Sequence, residues 1–243
     1  MKDPGAHDPA ADGRDTTRPP GVVVGTDGTA MALRAVAWAA TEARVRGVPL
    51  LIVHAAPYAS ADRAAGHRRV AAILGRAVTV ARRREPGIAL RTERSDRGPA
   101  DALVSASRSA ELLVVGMLGG HTGDALVSSI APALTAKARC PVTVVRSDHR
   151  LDTHRGPVVI GVEDLAVDSD AVDVAFADAE RHGTPLVVVH VRHRSAGEPA
   201  GGTAPEAGLR PWAARYPDVP VEFRVAYGGA GDQLLHAASL VKS

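Results

Sequence analysis

Short β-branched runs alternate along the chain with longer segments in which apolar residues recur every three or four positions. The first run, Val22–Thr26, predicts a strand, and the segment after it predicts a helix over residues 31–46. Gly47 follows at the position where a left-handed glycine commonly ends a helix. The apolar residues that define the helical face are Leu33, Val36, Ala37 and Ala40.

The same alternation continues to residue 145. Further strands are predicted at Leu50–His54, Ile88–Glu93, Leu112–Val115 and Val142–Val145. Further helices are predicted around residues 70–78, after Gly98-Pro99, and over residues 129–139 with Pro132 in the first turn. Strands that alternate with helices favour parallel pairing, because a parallel connection needs a crossover. We therefore expect an α/β fold with an open parallel five-stranded sheet and helices on both faces.

Part of this pattern occurs twice. The segment GVPLLIVHAAPY from Gly47 recurs as GTPLVVVHVRHR from Gly183, and Gly25 recurs as Gly161 at the same spacing of 136 residues. The second copy has predicted strands at 158–162, 186–191 and 221–225 and predicted helices at about 168–182 and 232–241. Nothing in it corresponds to the residues after Leu112, so the sequence predicts a duplication whose second copy lacks the last two strands.

We expect four segments from these boundaries. Residues 1–18 are rich in Pro, Asp, Gly and Thr and predict a disordered tail. A complete domain over 19–147 is followed by a linker over 148–156 and by an incomplete domain over 157–243. An incomplete sheet leaves an edge uncovered, so we expect self-association or pairing between the two domains.

Composition excludes several classes of function. Hydrophobic residues make up 45% of the chain and charged residues 23%, which is typical of a globular protein. A net charge of +2 and only seven aromatic residues argue against a nucleic-acid partner. The N-terminus has no apolar segment typical of a signal peptide, and the chain has no apolar run of about 18 residues that would predict a membrane span. A single cysteine, Cys140, rules out an internal disulfide and is compatible with a reducing cytoplasm. From these features we expect a cytoplasmic protein without a membrane partner.

Two glycine-containing stretches follow predicted strands that neighbour each other in such a sheet. They are Gly25–Thr29 and Gly116–Gly123, and the second leads to Ser128, Ser129 and Ile130 at the start of a predicted helix. Ligands of open parallel sheets bind beyond the carboxyl ends of the strands, where the strand order reverses. Glycine lets backbone N–H groups approach an anion, and a helix N-terminus favours negative charge. The two stretches therefore predict a phosphate-binding site.

Four motifs carry a family resemblance: VVVGTDGT, LLIVHA, ELLVVG with its following glycine loop, and ARCPVTVVR. They resemble the universal stress protein family, and the duplication resembles its tandem two-domain members. The resemblance covers residues 21–146 and more weakly 156–241. It implies a Rossmann-like adenine-nucleotide α-hydrolase-type fold, often dimeric, in stress adaptation. The family has one branch that binds ATP and another that does not.

The resemblance also assigns residues. Asp27 with its two preceding residues resembles the acidic turn near the adenosine, Ala55 resembles a position that lines the adenine pocket, and Gly116 and Gly119 match the first two glycines of the loop. The candidate nucleotide-binding residues are Gly25, Thr26, Asp27, Ala55, Gly116, Met117, Leu118, Gly119, Gly120, His121, Thr122, Ser128, Ser129 and Ile130.

The loop departs from the pattern of the binding branch. Eight residues rather than nine separate Gly119 from Ser128, and Ser128 stands where the family has glycine. No Lys or Arg lies between Gly116 and Ile130, so the phosphate charge of ATP or another adenine nucleotide would rest on backbone dipoles and Mg²⁺.

The alternative function is an interaction module of the same fold that binds no nucleotide. In that interpretation the loop after Gly116 is a simple connection and Asp27 caps the first helix. His54 and His190 are interpreted as structural histidines, because no second metal ligand lies near either in sequence. The signatures GxxxxGK[ST], GxSxG and SGGxDS are absent and the loop offers no general base, so we expect no catalysis.

Overall fold

The computed structural model describes residues 21–57, 63–117, 130, 133–146, 156–165, 167–192, 205–229, 231, 233–234 and 237. The chain divides into two compact units, Met1–His149 and Arg150–Ser243. No helix among these described residues is long and apolar enough to cross a membrane.

The first unit is a five-stranded parallel sheet with helices on both faces. Its strands are β1 (Gly21–Gly25), β2 (Leu50–Ala55), β3 (Leu90–Ser95), β4 (Ala110–Met117) and β5 (Val142–Arg146). Its helices are α1 (Ala30–Arg46), α2 (Arg63–Arg84) and α3 (Pro99–Ser107), and residues 133–137 are also helical. The strand order is β3-β2-β1-β4-β5, and every pairing is parallel. The predicted fold class is confirmed.

Two predicted strand boundaries shift for local reasons. The N–H of Ile88 donates to the carbonyl of Glu85 in the turn that follows α2, so β3 begins only at Leu90. Strand β4 is longer than the predicted Leu112–Val115, because Met117 still pairs with Arg146 of β5. The predicted strand end at Val115 was therefore wrong, since Gly116 and Met117, predicted in the stretch that follows the strand, belong to it.

Alanine sets the distance between α1 and the sheet. Ala35, Ala39 and Ala43 are fully buried against β1 and β4, where small side chains allow close packing. The N-cap of the helix is Thr29, whose hydroxyl accepts from the N–H of Ala32, and its C-cap is Gly47 with φ of 67°. The predicted C-terminal glycine is thus found in the left-handed conformation that favours it.

The second unit has a three-stranded parallel sheet of order β6-β7-β8. Its strands are β6 (Val158–Val162), β7 (Leu186–Arg192) and β8 (Val221–Tyr227). Val158 pairs with Leu186 just as Val22 pairs with Leu50 in the first unit, at the same spacing of 136 residues. The partial duplication predicted from the sequence is confirmed for the described part of the chain.

The helices of the second unit differ from the first copy. Helix α4 (Ser169–His182) matches the prediction, and a 3₁₀ turn (Pro205–Leu209) with the short helix α5 (Arg210–Arg215) was not predicted. Of the predicted helix over 232–241, Gln233, Leu234 and Ala237 are helical and the other residues lie outside the described part.

The short helix is held against α4 by one carboxylate and one aromatic pair. The indole N–H of Trp212 donates to Asp173 at 2.6 Å, and Arg215 forms an ion pair with the same carboxylate. Tyr216 stacks on Phe176 with ring centroids 5.6 Å apart. Phe176 is fully buried, so these contacts close the core of the second unit.

Replacing Phe176 with Ala should destabilise the second unit by about 3–5 kcal/mol, because the change leaves a cavity in the core. Val174 on the same helix is 40% exposed, so Val174→Ala should cost less than about 0.5 kcal/mol. Trp38 lies in the first unit and Trp212 in the second, so a Trp38→Phe background lets fluorescence follow the second unit during urea unfolding. Equal losses for the two variants would contradict this account of the core.

Candidate functional site

A cavity of about 360 Å³ lies at the carboxyl ends of β1, β2 and β4, where the strand order reverses. This is the location at which open parallel sheets bind ligands, and the volume lies within the range of about 300–1,000 Å³ typical of small-molecule sites. The described residues that line it are Gly25, Thr26, Asp27, Thr29, Ala30, Met31, Ala32, Val53, His54, Ala55, Pro99, Leu103, Val115, Gly116, Met117, Ile130 and Val144.

Seven of the fourteen residues singled out from the sequence line this one cavity. They come from four separate segments of the chain: Gly25, Thr26 and Asp27, then Ala55, then Gly116 and Met117, then Ile130. The other seven, Leu118, Gly119, Gly120, His121, Thr122, Ser128 and Ser129, lie outside the described residues.

The turn after β1 forms the polar side of the cavity. Thr26 is buried, and its N–H donates to the carbonyl of Val53, so the chain keeps the direction of β1 for one further residue. Its hydroxyl accepts from the N–H of Gly28 at 3.2 Å. Gly28 has φ of 84°, a conformation that glycine adopts at little cost. These bonds give the turn a defined shape before any ligand is present.

Asp27 supports the start of α1 without being its cap. Its Oδ1 accepts from both the N–H and the hydroxyl of Thr29, at 2.8 and 2.7 Å. The hydroxyl oxygen of Thr29 then accepts from Ala32, so Thr29 is the N-cap. The interpretation of Asp27 as the helix cap was wrong by two residues, because the helix begins at Ala30. The second carboxylate oxygen of Asp27 takes no part in these bonds.

His54 is a cavity residue that the sequence did not single out as functional. It is buried at the end of β2, and its Nδ1 lies 2.8 Å from the carbonyl oxygen of Thr26. Because a carbonyl only accepts, Nδ1 carries the proton and Nε2 of the neutral ring is an acceptor. His190 makes the same bond to the carbonyl of Val162 at 3.1 Å, again across 28 residues. The repeated histidine therefore has a structural role in both units.

Apolar side chains form most of the remaining wall. Val53, Leu103 and Val115 belong to the core layer between the sheet and α3, and all three reach the cavity. The sequence missed them as site residues, since a buried Val or Leu near a strand end carries no signal that separates core from cavity. Such a wall favours a flat apolar group over a free ion.

Packing requires glycine at one of the predicted site positions, Gly116, and leaves little room for a side chain at another, Gly25. A Cβ on Gly116 would lie 2.6 Å from the carbonyl oxygen of Met31, in the first turn of α1. A Cβ on Gly25 would lie 2.9 Å from the side chain of Leu103. Gly116 therefore allows β4 and α1 to approach each other, and that approach alone accounts for a glycine at this position.

The electrostatics of the cavity are weakly negative. Among its described lining residues, Asp27 is the one acidic side chain and no Lys or Arg is present. No group of three His, Cys, Asp or Glu residues in the described chain could hold a metal ion. Cys140 lies elsewhere, and burial raises the pKa of its thiol while a hydrogen bond with the backbone of Leu113 offsets only part of that shift.

In the second unit, the turn that follows β6 hydrogen-bonds to a nearby carboxylate of the same unit. The carboxylate Oδ2 of Asp168 accepts from the N–H groups of Glu163 and Asp164, at 2.9 and 3.2 Å. A carboxylate of the protein thus occupies backbone donors at the carboxyl end of β6.

The fold and the position of the cavity define an open α/β protein of the doubly wound class. The sequence model of the universal stress protein family matches residues 21–146, more than half of the chain. The chain belongs to the universal stress protein family.

Relatives of known sequence and structure agree. Universal stress protein Rv2028c of Mycobacterium tuberculosis H37Rv is 32% identical over 231 residues, covering 89% of this chain and 81% of that protein. Universal stress protein Rv2005c of the same strain is 30% identical over 228 residues, covering 83% and 77%. The crystal structure of a universal stress protein from Archaeoglobus fulgidus DSM 4304 shares the fold, with a TM-score of 0.67 over 91% of this chain and 84% of that one at 14% identity.

Replacing Gly116 with Ala should destabilise the first unit by about 1–3 kcal/mol, because the added methyl group meets the backbone of α1, which cannot move aside without shifting the helix. Gly75→Ala is the matched control. A Cβ there meets nothing within 4 Å, and Ala in a helix should stabilise by about 0.5–1 kcal/mol. Urea unfolding of both variants measures the difference, and a Gly116→Ala protein as stable as the parent would contradict the packing argument.

Proposed function

We propose that the first unit binds an adenine nucleotide in the cavity at the ends of β1, β2 and β4, as a binding protein rather than as an enzyme. The observation that carries the proposal is the convergence of Gly25–Asp27, Ala55, Gly116–Met117 and Ile130 on one cavity. These are positions that the family resemblance assigns to nucleotide binding, and family membership supports the same ligand class.

The adenosine end suits the described walls. A purine ring is flat and largely apolar on its faces, and Val53, Ala55 and Leu103 offer apolar contact. Asp27 contributes a carboxylate oxygen that its bonds to Thr29 leave unused, and carboxylates accept from ribose hydroxyls and exocyclic amines. We therefore place the base and ribose between β2, α3 and the turn after β1.

The phosphates would extend toward the segment between Met117 and Ile130. With no Lys or Arg among the described lining residues, their charge would be balanced by backbone N–H groups, the start of the following helix and Mg²⁺. This division predicts that the adenosine end supplies most of the affinity and that Mg²⁺ strengthens the binding of ATP more than that of AMP.

An interaction module without nucleotide is the second candidate. Gly116 has a packing role that needs no ligand. The sequence between Gly116 and Ile130 has no Lys or Arg that could bind a phosphate. In this candidate the cavity is a by-product of the fold, and function resides in contacts between copies or with another protein.

Calorimetric titration of the full chain with ATP, AMP and cyclic AMP, each with and without Mg²⁺, separates the two candidates. Binding with a dissociation constant of about 100 μM or tighter, corresponding to about 5.5 kcal/mol, supports the proposed function. The absence of heat for all three ligands at protein concentrations that detect this affinity would reject it and favour the interaction module.

Ala55→Leu should lower the affinity for these ligands at least tenfold, because a larger side chain at the end of β2 fills part of the cavity. Ala71→Leu on the exposed face of α2 is the control and should leave the affinity unchanged. Circular dichroism and unfolding curves verify that both variants fold. Undiminished binding by a folded Ala55→Leu protein would place the nucleotide elsewhere.

A further inference from the structure

Helix α2 holds the turn after β1 from outside the cavity. The Nη2 of Arg76 donates to the carbonyl oxygen of Gly28 at 2.9 Å, across 48 residues of sequence. Ile73, one turn earlier on α2, packs beneath the same residue, so that a Cβ on Gly28 would lie 3.0 Å from its Cγ1. Two side chains of α2 thus fix the position of Gly28, which has a positive φ.

The turn is a wall between two cavities. A second one of about 440 Å³ is lined by Asp27, Gly28, Thr29, Arg69, Ala72, Ile73 and Arg76. Asp27 and Thr29 also line the candidate nucleotide cavity. A displacement of the turn toward α2 would therefore widen one cavity at the cost of the other and would move Asp27.

Apart from the bonds from Ala32 and Leu33 of α1 to its N-cap Thr29, the other bonds of residues 27–29 stay within the turn. Gly28 donates to Thr26, and Thr29 donates to Asp27, each across two residues. Bonds of this kind shape a turn but do not anchor it to the rest of the fold. A guanidinium on a carbonyl is a charge-assisted bond and is stronger than a neutral one. Arg76 accordingly supplies the anchor between the turn and the helix layer.

We propose that Arg76 is a positioning residue of the nucleotide site: it holds the Asp27–Thr29 turn in the shape that the ligand needs without touching the ligand. The inference rests on the proposed function. A preorganised turn matters for affinity, because a ligand that must order its site loses binding free energy in doing so. Loss of the anchor should therefore weaken every ligand that contacts the turn by the same factor.

Charge attraction makes a different prediction. Arg69 and Arg76 both line the second cavity, and both are exposed. If their role were to attract phosphates, the loss of either arginine would lower the affinity for ATP, and the affinity for adenosine would stay unchanged. Uncharged adenosine thus separates positioning from attraction.

The test compares Arg76→Met with Arg69→Met, a control that removes the same charge from the same groove. Arg76→Met should weaken both adenosine and ATP about three- to tenfold, the range expected for one hydrogen bond. Arg69→Met should change neither by more than about twofold, and Arg76→Lys, which retains a donor, should recover part of the affinity. A loss confined to ATP, or an equal loss in Arg69→Met, would overturn the proposal.

Hydrogen exchange of the ligand-free protein tests the role of Arg76 as an anchor independently of the proposed function. Amide hydrogen exchange at Gly28 and Thr29 should become about three- to tenfold faster in Arg76→Met and remain unchanged in Arg69→Met. Unchanged exchange in Arg76→Met would reject the anchor. If the parent protein binds none of ATP, AMP and cyclic AMP, the proposed function fails, and the exchange measurement still decides whether Arg76 anchors the turn.

Discussion

The close approach of β4 to the first turn of α1 is the constraint on which the site depends. Gly116 lies so near Met31 that no side chain fits between them. With α1 seated there, the chain between Gly25 and Ala30 must turn sharply at the end of β1. That turn stands beside the carboxyl ends of β2 and β4, and the space left between them is the cavity. Packing of a helix on a sheet thus creates the cavity before any polar contact is considered.

The two copies show how one strand arrangement carries different turns. The strand register and the histidine bond to the preceding strand end are the same in both, His54 to Thr26 and His190 to Val162. The turns differ. In the first copy one oxygen of the Asp27 carboxylate accepts from Thr29, the N-cap of α1, whereas in the second copy the Asp168 carboxylate accepts from the backbone N–H groups after β6. The shared residues therefore maintain the fold, and the two copies differ in the bonds of the turn.

Local patterns predicted what depends on local physics. The strand of β1, the helix α1, its glycine end at Gly47 and the repeat of β1 and β2 all follow from periodicity and from residues a few positions apart. Helix α5 was missed because it has only six residues, one of which is Pro211. It is stabilised by a hydrogen bond from Trp212 and an ion pair from Arg215 to Asp173, which lies about forty residues earlier in the sequence. The end of β4 was misplaced because pairing with β5 decides it. Half of the candidate site residues were found around one cavity, and the role of Gly116 in packing could not be predicted without knowing that Met31 faces it.

Three residues of the turn after β1 are held by different elements of the first unit. Strand β2 holds Thr26 through Val53 and His54, α2 holds Gly28 through Arg76, and α1 holds Thr29 as its cap. No one of these contacts is strong, since a single hydrogen bond contributes only about 1 kcal/mol to stability. Together these contacts hold the turn in a single conformation. It follows that the geometry of the site is a property of the assembled unit, and a change on the outer face of α2 can reach Asp27 through one carbonyl.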